Sequence, residues 1–301
     1  LNGKYRGIIC IILAALCFSG MTAFVRLSGD LPSMQKALFR NLPAVVIAFA
    51  MLRRKGLTPR VEKGRRADVF GRCAAGTMGV VCNFYAIDHL VLADSNMLNK
   101  LSPFFAIIFS YFLLREKIKP AQAFGVAAAF AGALLIIKPT FANTSLVPSL
   151  IGACGGVCAG LAYTFVRRLG SKGEEGARIV FWFSVFSCMA TAPFYIAGGA
   201  RMEPWQFGCL MLAGLCGAGG QFSITRAYYY APARELSVYD YTQVIFATVW
   251  GLLLFGQVPD VYSVCGYAVI IAAAAVMFMY NNGVGAFRGR SGGDSANTAD
   301  A

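Results

Sequence analysis

Apolar residues run along this chain in long blocks. Ten stretches of roughly 20 mostly apolar residues follow one another, at 7–27, 34–52, 72–90, 94–114, 121–138, 149–168, 177–197, 207–229, 235–255 and 261–280. A helix rises about 1.5 Å per residue, so about 20 such residues cross the hydrocarbon core of a bilayer. The pattern predicts an all-α, polytopic membrane protein of ten transmembrane helices. The links between blocks are short and leave no separate soluble domain. Lys4 and Arg6 precede the first block as they would a signal peptide. That block lacks a small-x-small cleavage site before a polar region, however, and nine more spans follow, so it reads as a retained helix.

Composition agrees with the pattern. Hydrophobic residues make up 57% of the 301 positions and charged residues only 14%. A soluble chain carries about 25% charged residues, which argues against a water-soluble enzyme and against a disordered chain. The net charge of +13 has two possible meanings. In a soluble protein it would suggest nucleic acid, in a membrane protein cytoplasmic loops.

Its distribution decides. Arg53, Arg54, Lys55, Arg60, Lys63, Arg65, Arg66 and Arg72 are assigned to the segment between spans 2 and 3. Arg115, Lys117 and Lys119 follow span 4; Arg167, Arg168, Lys172 and Arg178 lie between spans 6 and 7; Arg226 and Arg234 lie between spans 8 and 9. With Lys4, Arg6, Arg288 and Arg290 at the ends, 21 of the 27 cations fall on one face if the spans alternate. The opposite face has Arg26, Lys36, Lys138 and Arg201, and Arg40 and Lys100 stand inside spans. Lys and Arg favour the cytoplasmic side, so both termini are expected in the cytoplasm and the protein in the cytoplasmic membrane. Nucleic acid drops out as a partner. The tail 283–301, rich in Gly, Ser, Asn and Ala, is expected to be disordered.

All ten cysteines fall within the predicted spans. Cys154 and Cys158 share a helix face, but no histidine or second cysteine pair completes a metal set. They are expected to pack as small apolar groups, without disulfides or zinc. No cofactor motif is found.

An offset of 141 residues aligns the two halves. It sets Ala23-Phe24-Val25-Arg26 over Thr164-Phe165-Val166-Arg167, Gly76 and Gly79 over Gly217 and Gly220, Phe105-Ala106 over Phe246-Ala247, and Gly125 over Gly266. The expected units are 7–140 and 148–282. Five spans is an odd number, so the halves would enter the membrane in opposite senses, as in the inverted repeats of secondary transporters.

The segment Leu92–Pro139 then carries a resemblance. Its polar opening, central Pro103, Glu116-Lys117 turn, Gly125, Gly132 and Pro139 resemble the end of an EamA-type repeat of the drug/metabolite transporter superfamily. The second half follows more loosely, with Gln257 at the Glu116 position and Val244 at the Pro103 position. The resemblance spans about 7–280. It implies ten helices, an inverted repeat and a central cavity open alternately to each side. It leaves the cargo open among amino acids, nucleotide sugars, phosphorylated sugars, vitamins, organic acids and drugs.

Ionisable residues deep in a span are costly and mark candidate sites. Arg40 and Lys100 lie at similar depth, each about six residues in from the outer end, roughly 9 Å. Two cations at one level call for an anionic ligand, or for Asp88 or Asp94 as gate partners. Asp240, in span 9, is a candidate partner for Lys100 or Arg40 and a candidate carrier of a coupling proton. Asn96, Asn99 and Lys100 share one face of span 4, and Asp240 and Gln243 one face of span 9. Asn83 and Gln221 stand on the glycine faces of spans 3 and 8, and Ser19, Thr22 and Arg26 on one face of span 1. Tyr241, the repeat mate of Lys100, joins Asn83, Asn96, Asn99, Gln221 and Gln243 as a candidate substrate contact. Tyr85, Trp182, Tyr239 and Trp250 are further wall candidates. Gly152, Gly156 and Gly160 form a small-xxx-small stripe suited to close helix packing. His89, the lone histidine, reads as an interface residue.

These residues predict a secondary transporter of a small organic anion, monomeric or dimeric, with the bilayer as its medium and a proton as candidate coupling ion. The alternative within the class is an exporter of amino acids or drugs in which Arg40 and Lys100 form gate ion pairs. A receptor or an intramembrane enzyme belongs to other classes. A single histidine cannot supply a zinc-protease motif, and no Gly-x-Ser-x-Gly occurs.

Overall fold

A computed structural model describes residues 3–115, 120–137, 145–230 and 237–281. The described residues are helical, joined by turns. The helices are α1 (Gly3–Leu27), α2 (Ser33–Arg54), α3 (Arg66–His89, entered through a 3-10 turn at Lys63–Arg65), α4 (Leu92–Asn99), α5 (Ser102–Leu114) and α6 (Pro120–Ile137). The second half has α7 (Leu146–Ser171), α8 (Gly176–Gly198), α9 (Pro204–Tyr230), a 3-10 turn (Ser237–Tyr241), α10 (Thr242–Phe255) and α11 (Val261–Asn281). The chain is an all-α, multi-pass membrane protein. The turn at Glu116, Lys138, Pro139, Arg234 and the tail 283–301 lie outside the described residues.

Each predicted span is helical in its described part, with two departures from a set of ten continuous rods. Span 4 is broken into α4 and α5 at Lys100–Leu101, and span 9 opens with the 3-10 turn before α10. The first break has a local cause. Pro103 sits in the first turn of α5. Its ring would clash with the Asn99 carbonyl if the helix ran through, so α4 ends at Asn99 with Lys100 as its C-cap. A further difference from the predicted spans is α3, which starts at Arg66 rather than 72. Asp68 in its first turn favours the helix N-terminus and lies against Lys172 at 2.6 Å and Arg168 at 3.5 Å. Arg72 therefore belongs to the helix interior and not to the loop assigned to it from hydropathy.

Six of the described helices are individually long and apolar enough to cross a membrane: Tyr5–Leu27, Ser33–Arg54, Leu146–Ser171, Gly176–Gly198, Pro204–Ile224 and Val261–Tyr280. Helix α3 has the length, at 24 residues, but carries Arg66, Asp68, Arg72 and Asp88. The breaks shorten the helices of spans 4 and 9, and α6 adds the shorter apolar helix Ala123–Ile137.

Packing exchanges the two halves. Helix α1 lies along α9 and α3 along α7, α2 packs on α8, and α6 on α11. Shifting each partner by five spans returns the same four pairings. Details repeat at the 141-residue offset as well: the helix following each break ends in a left-handed residue, Arg115 at φ 55° and Gly256 at φ 61°.

The glycine stripe of α7 serves the break. A Cβ at Gly156 would lie 2.6 Å from the Leu98 carbonyl oxygen, and one at Gly160 would lie 2.7 Å from that of Ser102. Only glycine lets α7 run this close to the interrupted backbone of α4 and α5.

The core forms where α4, α5, α6, α10 and α11 meet, around Leu98, Phe104, Ile136, Val244 and Ile270. A second cluster gathers Met21, Val25, Phe84, Ile87, Leu92 and Ala247. The outside is equally apolar: Ile196 is 83% exposed, and Phe112, Phe124, Leu253 and Val261 are also exposed. In water such a surface would aggregate; here it faces lipid.

Candidate functional site

The breaks in spans 4 and 9 face each other, and both present charge. Lys100, the C-cap of α4, reaches across to Asp240 in the 3-10 turn, with Nζ 2.6 Å from Oδ2. Both side chains are largely buried. The Tyr241 hydroxyl donates to the Lys100 carbonyl oxygen at 3.4 Å. One turn away, Gln243 Nε2 donates to Asn96 Oδ1 at 2.7 Å, and Asn96 Nδ2 donates to Thr22 Oγ1 at 3.3 Å and to the Leu92 carbonyl at 2.8 Å. A polar seam thus joins α1, α4 and α10 beside the ion pair.

The seam opens onto a cavity holding about 820 Å³ of empty space out to its mouth. Its polar wall comes from Thr22, Arg40, Arg72, Asn83, Asn99, Lys100, Gln221, Asp240 and Gln243. Its apolar wall comes from Phe18, Met21, Phe84, Tyr163 and Phe183. Tyr163 lines this cavity and is 41% exposed.

Of the residues singled out from sequence, Arg40, Lys100, Asn99, Asn83, Gln243, Gln221 and Asp240 come together on this wall. Asn96 sits one layer behind, buried among Thr22 and Gln243. Tyr241 is not on the wall: it is 4% exposed, inside the larger apolar cluster, because the 3-10 turn points it at the backbone of the other break. Asp88 and Asp94 lie elsewhere. Asp88 pairs with Lys36 at 2.5 Å, and Asp94 accepts from the Tyr267 hydroxyl. Neither reaches Arg40 or Lys100. The expectation that these two cations share a partner is corrected on this point, since Lys100 has Asp240 while the hydrogen-bond acceptors of Arg40 among the described residues are neutral.

The other aromatic candidates also take structural places. Tyr85 stacks on His89 at a centroid separation of 4.2 Å, and Trp182 Nε1 donates to the Pro59 carbonyl at 2.7 Å. Trp250 packs into the second cluster and Tyr239 beside Ile11 and Ala227.

Arg72 was not anticipated. It is 5% exposed, with its guanidinium carbon 4.2 Å from the centre of the Phe183 ring. Standing at the edge of an apolar block, it looked like the last cation of a loop. The available signal was the helical spacing of Val69, Cys73 and Gly76, which carries the helix past Arg72 into the membrane.

Two sets of contacts close the bundle away from the cavity. At the end holding residues 26–36, Arg26 donates to the carbonyls of Ile87 at 2.6 Å and of Leu90. There Lys36 is fully buried against Asp88, and Gln35 exchanges two 2.9 Å hydrogen bonds with Ala200. At the opposite end Asp68 holds Lys172, Glu174 holds Arg65 and Arg178, and Glu175 holds Lys55 at 2.5 Å. These contacts clasp the α2–α3 connection to the α7–α8 turn.

The ten cysteines are free thiols. Among the described residues no group of three or more His, Cys, Asp or Glu side chains is placed to hold a metal ion.

Known proteins share this organisation. The EamA-like transporter family matches the chain twice, over residues 5–138 and 147–279. The chain is 29% identical over 275 residues to the pseudopaline exporter of Pseudomonas aeruginosa, covering 90% of this chain and 95% of that one. It is 26% identical over 279 residues to an uncharacterized transporter of Helicobacter pylori, covering 90% and 94%. It is 28% identical over 268 residues to the riboflavin transporter of Brucella anthropi, covering 84% and 90%. A solved crystal structure superposes with a TM-score of 0.66 at 17% identity, covering 90% of this chain and 95% of the other, which speaks for the fold alone. Twin matches over almost the whole length, on a helical membrane bundle around a polar cavity, place the chain in the EamA-like transporter family of the drug/metabolite transporter superfamily: it is a membrane transporter of small molecules, not an enzyme.

Proposed function

We propose that this protein is a secondary transporter of a small organic anion in the cytoplasmic membrane. It works by alternating access between two inverted repeats, 7–140 and 148–282, with both termini cytoplasmic. The observation that carries the reading is the charge of the cavity. Three cations and one carboxylate among the described residues line it, Arg40, Arg72, Lys100 and Asp240, so its wall carries a net positive charge.

Asn83, Asn99, Gln221 and Gln243 orient the solute. Asn96 and Tyr241 hold the broken spans from behind. Lys100 and Asp240 form the gate between the repeats, since their ion pair spans the two breaks and must part when the halves rock. Parting leaves Asp240 buried and charged unless a proton neutralises it, which makes Asp240 the coupling site. Lys36–Asp88 and Tyr267–Asp94 act as gate contacts at one end. The direction is export, following the name of the Pseudomonas relative. The cargo is not taken from the relatives, whose names differ on it.

Reconstitution into proteoliposomes tests the reading. Carboxylates and phosphates should move, and neutral or cationic metabolites should not. Flux should respond to an imposed pH gradient, and Asp240→Asn should abolish that response. Selective movement of cations would overturn the anion reading, and ligand binding without flux would overturn transport.

A further inference from the structure

Within the cavity, Lys100 and Asp240 neutralise each other. Arg40 and Arg72 do not have that option. The Arg40 guanidinium donates through Nε and Nη2 to the Met21 sulfur, at 3.3 and 3.1 Å, and through Nη1 to Asn41 Oδ1 at 2.8 Å. These acceptors are uncharged, and a thioether is a weak one. Arg72 rests on the Phe183 ring, and its buried Nε has no hydrogen-bond partner. Among the described residues neither arginine touches a carboxylate, and both line the same cavity. The nearest acid along the helix, Asp68, is taken by Lys172 and Arg168.

The placement of both side chains is built into the backbone. Arg40 lies on Gly217, where a Cβ would stand 2.7 Å from Nη2. Arg72 lies on Gly76, where a Cβ would overlap Nη1. These glycines are repeat mates, 141 residues apart. Each clears room for one guanidinium on the cavity wall. Tyr163 faces the same space, within electrostatic reach of Arg40, Arg72 and Asp240.

Two buried guanidinium groups that touch no carboxylate among the described residues make a site suited to an anionic ligand. Its excess is two positive charges, presented as planar forks suited to carboxylate or phosphate oxygens. We infer that the cavity selects an organic dianion, a dicarboxylate or a phosphate monoester, whose two negative charges are met by Arg40 and Arg72. This rests on the reading of the cavity as the transport site and adds the valence of the cargo. It also moves the anion-binding role from Lys100 to Arg72.

The test uses the purified full-length chain at low salt. Binding of succinate and glycerol 3-phosphate is compared with butyrate, the monoanion of the same carbon count as succinate, and with glycerol. A dianion should bind roughly tenfold or more tightly than butyrate, as expected for one extra hydrogen-bonded charge. Which dianion binds separates the carboxylate from the phosphate source. Arg72→Gln should bring dianion affinity down toward that of butyrate, so that the dianion-to-monoanion ratio collapses toward one. Arg72→Lys should fall between, because the charge stays and the fork is lost. If Arg72→Gln fails to elute as a folded monodisperse species, the lysine variant and the wild-type dianion-to-monoanion ratio decide. Equal binding of mono- and dianions, an unchanged ratio in the Arg72 variants, or binding of no dianion overturns the inference. In proteoliposomes, flux of monoanions and dianions alike would overturn the dianion inference and leave the anion transporter standing. Absence of flux for every anion would overturn that reading as well.

Discussion

Lys100 and Asp240 allow the sharpest test of how the two halves hold together. At 2.6 Å and an effective dielectric of about 20, the attraction is roughly 6 kcal/mol before desolvation. Desolvation cancels much of that gain, but removing one partner strands the other charge in the protein, which costs about 3–5 kcal/mol. Lys100→Met strands Asp240, whose Oδ1 already lacks a hydrogen-bond partner. Asp240→Asn strands Lys100 near Arg40 and Arg72. The double variant Lys100→Met/Asp240→Asn removes both charges and should recover most of the loss. Its stability should exceed the sum of the single effects by several kcal/mol, far outside the roughly 0.3–0.5 kcal/mol within which independent sites add. The assay is denaturant unfolding of the purified protein in one detergent, followed by tryptophan fluorescence. Transport should not recover with stability, because the double variant has lost the gate and the proton site. Additive single effects would refute the pairing as the contact that holds the breaks together. Full transport in the double variant would refute its role as gate.

Three further outcomes follow from the packing. Gly156→Ala places a Cβ 2.6 Å from the Leu98 carbonyl and should destabilise the protein by about 1–3 kcal/mol, whereas Gly208→Ala, with nothing within 4 Å, should stay within about 0.5 kcal/mol in the same unfolding assay. Lys36→Met leaves Asp88 without its ion pair and should cost about 3–5 kcal/mol, much of it recovered by adding Asp88→Asn. Trp182→Phe removes the hydrogen bond to Pro59 and should cost about 1 kcal/mol, read as faster proteolysis within the connection between α2 and α3.

Hydropathy located the spans because it is a local property, and it marked Arg40, Lys100 and Asp240 because charge inside an apolar block stands out in one dimension. The same rule misplaced Arg72. A charge at the edge of a block looks the same whether the helix ends before it or carries it inward, and here Asp68, held by Lys172 and Arg168, lets the helix start earlier. Aromatic residues carried no comparable signal. Tyr85, Trp182, Tyr239, Tyr241 and Trp250 look no different along the chain from Phe18, Tyr163 and Phe183, which form the wall. The break at Lys100 was partly legible in Pro103, and the interruption at Tyr241 had no proline to announce it.

Read along the chain alone, the residues show the helical, membrane-spanning class and three of the spans that carry internal charge. Lipid leaves no other way to satisfy the backbone, so a run of apolar residues is already a statement about structure. Which charges meet is a matter of tertiary packing. Lys100 finds Asp240 across 140 residues, and Arg40 and Arg72 line one cavity without touching a carboxylate of the described residues. Those pairings depend on how each helix is rotated and how closely it can approach its neighbour. Those quantities are set by glycines such as Gly156 and Gly217 acting on a different part of the chain, and no window along one helix contains both partners.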